Sequence, residues 1–251
     1  EKRSSASILH SPLLLIVEDN PDVTSYIRSF MENDYQIITA ENGKAGLQIV
    51  LEKYPDLIIS DVMMPKMDGM ELCRKLKTDE RTSHIPLILL TAKAAKEDKL
   101  EGLGLGADDF LTKPFDPDEL LVRIRNLIEQ RRSLRKKYLI ALKLQPEFIN
   151  DEDISMDQHF LEKARRVVQE YISDTEFNVE TFGDKLAMSR MQLHRKITAL
   201  TGQTAGEFIR NLRLLKAADL IRGKTATIAE IAYDTGFTSP SYFTDCFKKY
   251  F

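Results

Sequence analysis

Cysteine is nearly absent. Cys73 and Cys246 are the only two in 251 residues, and a pair that far apart excludes a disulfide-stapled scaffold and fits a reducing compartment. Neither has a His or Cys neighbour at metal-ligand spacing, which excludes a zinc site built on them. No apolar run approaches the roughly 18 residues of a membrane span, and the start carries no signal-peptide pattern. The expectation is a cytoplasmic stretch of chain that makes no membrane contact. An initiating Met is missing as well, and the chain stops abruptly after Lys248-Lys249-Tyr250-Phe251. That reads as a piece of a longer protein, whose parent could hold an anchor in the inner membrane. A Gly-rich nucleotide-binding loop is also lacking, which argues against a nucleotide-dependent enzyme.

What is present suits two soluble domains of ordinary size, with 43% hydrophobic and 30% charged residues. The net charge of -3 hides an asymmetry. From Val179 to Phe251 there are 11 Lys+Arg and 7 Asp+Glu, a balance of +4; of the chain's 36 and 39, this leaves 25 against 32, or -7, for the rest. An acidic front and a basic back imply different jobs.

Residues 12–128 alternate two kinds of segment. Short apolar runs at 13–18, 35–40, 56–60, 86–90 and 108–112 read as strands. Stretches near 21–32, 43–53, 69–77, 96–103 and 117–133 read as helices, the first with Pro21 near its N1 position. Five strands alternating with five helices imply a parallel sheet covered on both faces. Residues 129–156 form a connector. Its basic run, Gln130 to Lys137, prolongs the last helix, and Asn150-Asp151-Glu152-Asp153 is polar and turn-like. Residues 157–251 carry only helical patterns, at 157–172, 179–187, 189–200, 204–222, 227–234 and 239–250. Gly202, Gly223 and Gly236 fall just past helix ends, as C-terminal caps do. The fold class is α/β plus all-α.

The residues that carry chemistry stand at strand ends. The first apolar run ends in Glu18-Asp19, the third in Asp61 and the fourth in Thr91; Lys113 follows Phe110 at the fifth. Such ends are where α/β sheets place functional groups. Taken singly, each residue has a plain reading: Glu18-Asp19 as a solvated strand end, Thr91 as a helix cap, Lys113 as surface charge, Phe110 as core, Asp68-Gly69 as a turn. Those readings do not explain why all the groups occupy one sheet edge. Three converging carboxylates repel unless one is protonated or a cation neutralises them. Hard oxygen ligands favour Mg²⁺. A carboxylate beside it can attack phosphorus and form an aspartyl phosphate. A lysine and a hydroxyl would stabilise the phosphoryl oxygens.

On these motifs, residues 12–128 closely resemble the receiver domain of two-component response regulators, a (βα)5 doubly wound, flavodoxin-like fold. The resemblance implies Asp61 as the phosphoacceptor, Glu18 and Asp19 as the acidic pair, and Asp19 as the more direct Mg²⁺ ligand. Met63 would lend its backbone carbonyl to the metal. Thr91 is similar to the switch hydroxyl, Lys113 to the phosphate-pairing lysine and Phe110 to the switch aromatic.

In residues 178–200, a helix with Leu186 and Ala187 inward breaks at Met188-Ser189. A second helix then keeps Leu193, Ile197 and Leu200 on one face and Arg190, Met191, His194, Arg195 and Lys196 on the others. A short helix, a tight turn and a polar-basic helix make a helix-turn-helix pattern. A second unit spans Ile228 to Phe251, and the 204–222 helix joins the two. Residues 157–251 thus resemble the AraC-type DNA-binding domain, an all-helical domain with two helix-turn-helix units. The resemblance turns Arg190, Met191, His194 and Arg195 toward DNA. It sets Ser239, Pro240, Ser241 and Asp245 at the DNA-facing edge of the second recognition helix, with Lys248 and Lys249 on phosphates. Tyr242, Phe243 and Phe247 are expected in the core. Asp245 departs from the family's neutral or basic pattern, and the family's short tail beyond Phe251 is missing.

A receiver followed by an AraC-type domain resembles the C-terminal end of hybrid two-component systems. The implied function is a phosphorylation-controlled transcription regulator. Its implied partners are a histidine kinase domain in cis or in trans, double-stranded DNA with repeated half-sites, and a second copy of the chain when phosphorylated. No kinase-type histidine box surrounds His10, His84, His159 or His194, so no turnover enzyme is expected beyond the receiver's own phosphorylation and dephosphorylation. The alternatives are a stand-alone response regulator and a phosphorelay adaptor whose helical domain binds protein.

Overall fold

The structure, a computed structural model, describes residues 11–92, 106–144, 155–224 and 226–251. The chain divides into two compact units, residues 1–133 and 134–251.

The first unit holds strands β1 (Leu13–Val17), β2 (Gln36–Ala40), β3 (Leu57–Asp61), β4 (Leu87–Thr91) and β5 (Asp109–Thr112). They form one parallel sheet in the order β2-β1-β3-β4-β5. Strands β3 and β4 are buried along their whole length, because both faces of a parallel sheet are covered. Alternation along each strand divides the apolar side chains between two cores. Leu14, Ile16, Leu57, Ile59, Ile88 and Leu90 pack on α1 (Pro21–Met31) and on the start of α4 (Pro117–Leu144). Leu15, Val17, Ile58, Leu87 and Leu89 belong to the opposite core, with α2 (Gly43–Lys53) and α3 (Gly69–Thr78). The helix expected near 96–103 and the turn at 150–153 lie outside the described residues. α4 runs through the basic segment to Lys137, as expected, and continues beyond it to Leu144.

Helix starts in this unit are set by short polar side chains. Asn20 and Asn42 cap α1 and α2. Asp68 accepts the Glu71 amide at 2.7 Å and caps α3. Asp68-Gly69 is therefore not a free-standing turn but the cap and first residue of the helix expected at 69–77.

The second unit contains α5 (Met156–Glu170), α6 (Val179–Lys185), α7 (Arg190–Thr201), α8 (Ala205–Gly223), α9 (Ile228–Asp234) and α10 (Pro240–Tyr250). Reciprocal capping boxes start five of them: Ser155 with Gln158, Asn178 with Thr181, Ser189 with Gln192, Thr204 with Glu207 and Thr227 with Glu230. α8 is long enough to serve two cores. Phe208 and Ile209 pack with Phe160, Phe182, Leu193 and Ile197, while Leu214 and Ala217 pack with Ile231, Phe237 and Phe243.

Two local expectations are corrected here. Ala187 does not point inward; it is exposed with φ 54° and makes the turn before α7. Gly223 is the last residue of α8, and Lys224 takes the left-handed conformation at φ 50°. Gly202 and Gly236 do adopt it, at φ 72° and 74°.

Candidate functional site

All five strands run the same way, so their C-terminal ends share one edge. The strand order reverses between β1 and β3, and ligands of open α/β sheets bind at such a switch point. Glu18 and Asp19 follow β1 there, and Asp61 ends β3. Carboxylate oxygens of these three residues lie within 4.8 Å of one another. Asp61 pairs with Leu90, which sets Thr91 one residue further along the neighbouring strand. Thr91 is buried, and its carbonyl accepts the Lys113 amide at 2.7 Å.

Lys113 ties the edge together. Its Nζ lies 2.6 Å from Glu18 Oε2 and 3.0 Å from Asp61 Oδ1. Three carboxylates and one ammonium leave a formal charge of about -2 on the cluster. Burial pushes the Glu18 carboxyl above its ordinary range; the Lys113 hydrogen bond opposes this and the Asp61 charge adds to it. Burial alone would lower the Lys113 ammonium. Its hydrogen bonds to Glu18 and Asp61, with their charges, outweigh burial and raise it. Phe110 is buried in the core on the α2–α3 side, and the Met63 side chain is 68% exposed.

The floor of the cluster is a backbone contact that the sequence reading missed. A Cβ built on Gly69 would sit 2.1 Å from the carbonyl oxygen of Asp61. Only glycine lets the first turn of α3 come so close. The Gly69 amide donates to the Val62 carbonyl at 2.9 Å, and the Val62 amide to Leu90 at 2.9 Å. The loop after Asp61 is thus clamped between α3 and β4. A glycine eight residues past a strand-end aspartate is a weak sequence signal, since turns use the same residue.

In the second unit, α6, the turn at Ala187 and α7 form a helix-turn-helix. Leu193, Ile197 and Leu200 face the core, while Arg190, Met191 and His194 are exposed and Arg195 is half-buried. Arg190 pairs with Glu180 at 3.1 Å, an exposed contact of little energetic weight. Lys196 was expected on the polar faces and is not there. It is fully buried, with Nζ 2.6 Å from Asp157 Oδ1 of α5 and 5.4 Å from the Phe160 ring centre. Its spacing from Leu193 (i+3) and Leu200 (i–4) placed it on the apolar stripe, a signal that could have found it.

Helices α9 and α10 form the second unit of this kind. Ser239 caps α10 by accepting the Tyr242 amide at 3.2 Å, and Pro240 takes the first helical position. Ser241, Asp245, Lys248 and Lys249 are exposed. Phe243 is buried and Phe247 packs against the same core. Tyr242 departs from the expected core placement, being 50% exposed.

Comparisons with known proteins divide the chain at the same two modules. Residues 14–125 match the family model for the response regulator receiver domain, and residues 182–251 match a model for a helix-turn-helix domain, of the AraC type. A curated relative, "Histidine kinase P4" of Formosa agariphila, is 42% identical over 238 residues. The match covers 95% of this chain and 17% of that protein. "Phosphate regulon transcriptional regulatory protein PhoB" of Pseudomonas aeruginosa is 41% identical over 118 residues, covering 47% of this chain and 52% of its own. Among solved structures, a putative response regulator from Chloroflexus aurantiacus aligns with 33% identity and a TM-score of 0.46, covering 47% of this chain and 98% of that one.

Proposed function

The chain carries a response regulator receiver domain and an AraC-type helix-turn-helix domain in series, and from this we propose a transcription regulator switched by phosphorylation of Asp61. The observation that carries the reading is the Lys113 ammonium held between Glu18 and Asp61 at the switch point of the sheet. Asp61 acts as nucleophile. Its carboxylate oxygen bonds to phosphorus as the bond from phosphorus to a kinase histidine nitrogen breaks. Lys113 then pairs with the phosphoryl oxygens, and the Thr91 hydroxyl is drawn to them. Phe110 and Thr91 carry the change of state away from the site.

The donor set fits Mg²⁺. Glu18, Asp19 and Asp61 offer hard carboxylate oxygens close together, and the cluster's charge matches a divalent cation. The Met63 carbonyl would complete the protein ligands. When bound, the metal would neutralise charge on the transferring phosphoryl group.

The second unit reads double-stranded DNA. Arg190, Met191, His194 and Arg195 of α7 serve the first major-groove contact; Ser239, Ser241, Lys248 and Lys249 of α10 serve the second. Phosphorylated chains pair and engage repeated half-sites. That 95% of the chain aligns within a protein named as a histidine kinase supports a hybrid origin, with the kinase in cis. Among the described residues, no helix is long and apolar enough to cross a membrane. The regulator would act in the cytoplasm, whether or not its parent is anchored in the inner membrane.

The test has two parts. Wild type and Asp61→Asn are incubated with acetyl phosphate and Mg²⁺, and the intact proteins are weighed. Only wild type should gain one phosphoryl mass. Equal gains would remove Asp61 from its role. Random duplexes are then selected on the chain with and without beryllofluoride. Enrichment of a repeated motif is expected, and its absence in both arms would remove DNA as the ligand.

A further inference from the structure

α4 begins in the first unit and ends in the second. Leu120, Ile124 and Leu127 are buried in the first unit's core. After residue 134 the same helix supplies Tyr138 to the core beneath α7. One turn earlier, Arg135 Nε donates to the carbonyl of Ala199 at 3.0 Å. Ala199 lies in the last turn of α7, whose final carbonyls lack intrahelical donors and carry the negative end of the helix dipole. The Arg135 side chain also lies against Gly202, the left-handed cap of α7; a Cβ there would come 3.2 Å from Arg135 Cδ.

We infer that Arg135 is a positioning residue for the first recognition helix, and that α4 passes the state of the receiver to α7 through it within a single chain. The inference rests on the function proposed above and adds a route to it. One unbroken helix joins the two ends, so a rotation or shift at its start has a covalent, hydrogen-bonded path to Arg135. There the guanidinium holds α7 at its C-terminal end, opposite the N-terminal residues Arg190, Met191 and His194 that face DNA. Pairing of two chains is then not the only means by which phosphorylation reaches the DNA contacts.

A duplex with one half-site separates the two routes, because pairing contributes nothing there. The affinity of the full chain for a selected half-site is measured with and without acetyl phosphate and Mg²⁺, and intact mass records the loading of Asp61. Wild type should change affinity several-fold on loading. Arg135→Ala should load equally and lose most of that change, while Arg135→Lys, which keeps a cation at the helix end, should retain most of it. One alanine inserted after Ser133 turns the two ends of α4 by about 100° relative to each other and should also abolish the response. The inference is overturned if wild type loads without changing its half-site affinity, or if Arg135→Ala responds as wild type does. Failure of wild type to load, or to bind any selected duplex, would instead bring down the function on which the inference rests.

Discussion

Gly69→Ala sets two physical effects against each other. Gly69 occupies the first turn of α3, where alanine is the better helix former by about 1 kcal/mol. Propensity alone therefore predicts a more stable protein. The contact predicts the reverse. The added Cβ would stand 2.1 Å from Asp61 O, about 0.9 Å short of the 3.0 Å that real Cβ atoms respect. Two further backbone atoms, Asp61 C and Val62 Cα, lie at 3.0 Å. All three of the nearest atoms are backbone, so neither partner can rotate away. Overpacking of this kind costs about 1–3 kcal/mol, and strain on the Gly69–Val62 hydrogen bond adds about 1 kcal/mol. After the propensity gain, a net loss of about 1–3 kcal/mol remains, or roughly 4–12 °C in the melting temperature of a unit this size. The displaced element is the one that carries Asp61, and a misplacement of about 1 Å can slow a positioned reaction on the order of 100-fold. Thermal melting by circular dichroism and the rate of mass gain from acetyl phosphate test both halves. A variant that melts higher than wild type and loads Asp61 at the same rate would refute the reasoning.

Millimolar Mg²⁺ should raise the melting temperature of the first unit by mass action, and Asp19→Asn should blunt the rise; a curve unmoved in wild type would count against the cation site. Asp157→Ala removes the carboxylate paired with the buried Lys196 ammonium and should cost about 3–5 kcal/mol in urea unfolding, whereas the double change Asp157→Leu with Lys196→Met should be near neutral. Equal losses in the two variants would show that packing, not charge, is what the pair supplies. Arg195→Ala should cost about 1–3 kcal/mol at a specific site if it contacts a base, while Asp245→Lys should tighten binding to all duplexes and steepen the salt slope by about one. Titrations at several salt concentrations on specific and scrambled duplexes separate these outcomes.

The strand-end residues were legible because a fully buried strand leaves no room for charge until it ends. Glu18, Asp61 and Thr91 mark where three apolar runs stop, and parallel topology gathers such ends without further instruction. What escaped notice were contacts made across the chain. Gly69 looks like any turn glycine until α3 is laid against β3. Lys196 looks like any helix-surface lysine until Asp157, 39 residues earlier, is brought beside it. The stretch of α4 beyond Lys137 escaped for a different reason. Basic residues interrupt its apolar ones, and among the described residues of this helix Tyr138 is the one that joins the second core. Gly223 stands one residue before the cap, and Ala187 makes an exposed turn instead of facing inward, because Lys224 and Ala187 accept a left-handed conformation that composition assigns to glycine.

The five capping boxes of the second unit have a kinetic consequence. Each fixes a helix start through partners three residues apart, so the frame of every such helix is set before any distant segment arrives. The first unit caps α1, α2 and α3 locally as well, but its sheet is assembled from distant partners, Leu14 of β1 pairing with Ile37 of β2 and Leu57 of β3. Local contacts form fast and non-local parallel pairings form slowly. During refolding the all-helical half should therefore be assembled while the other half is still searching for its sheet.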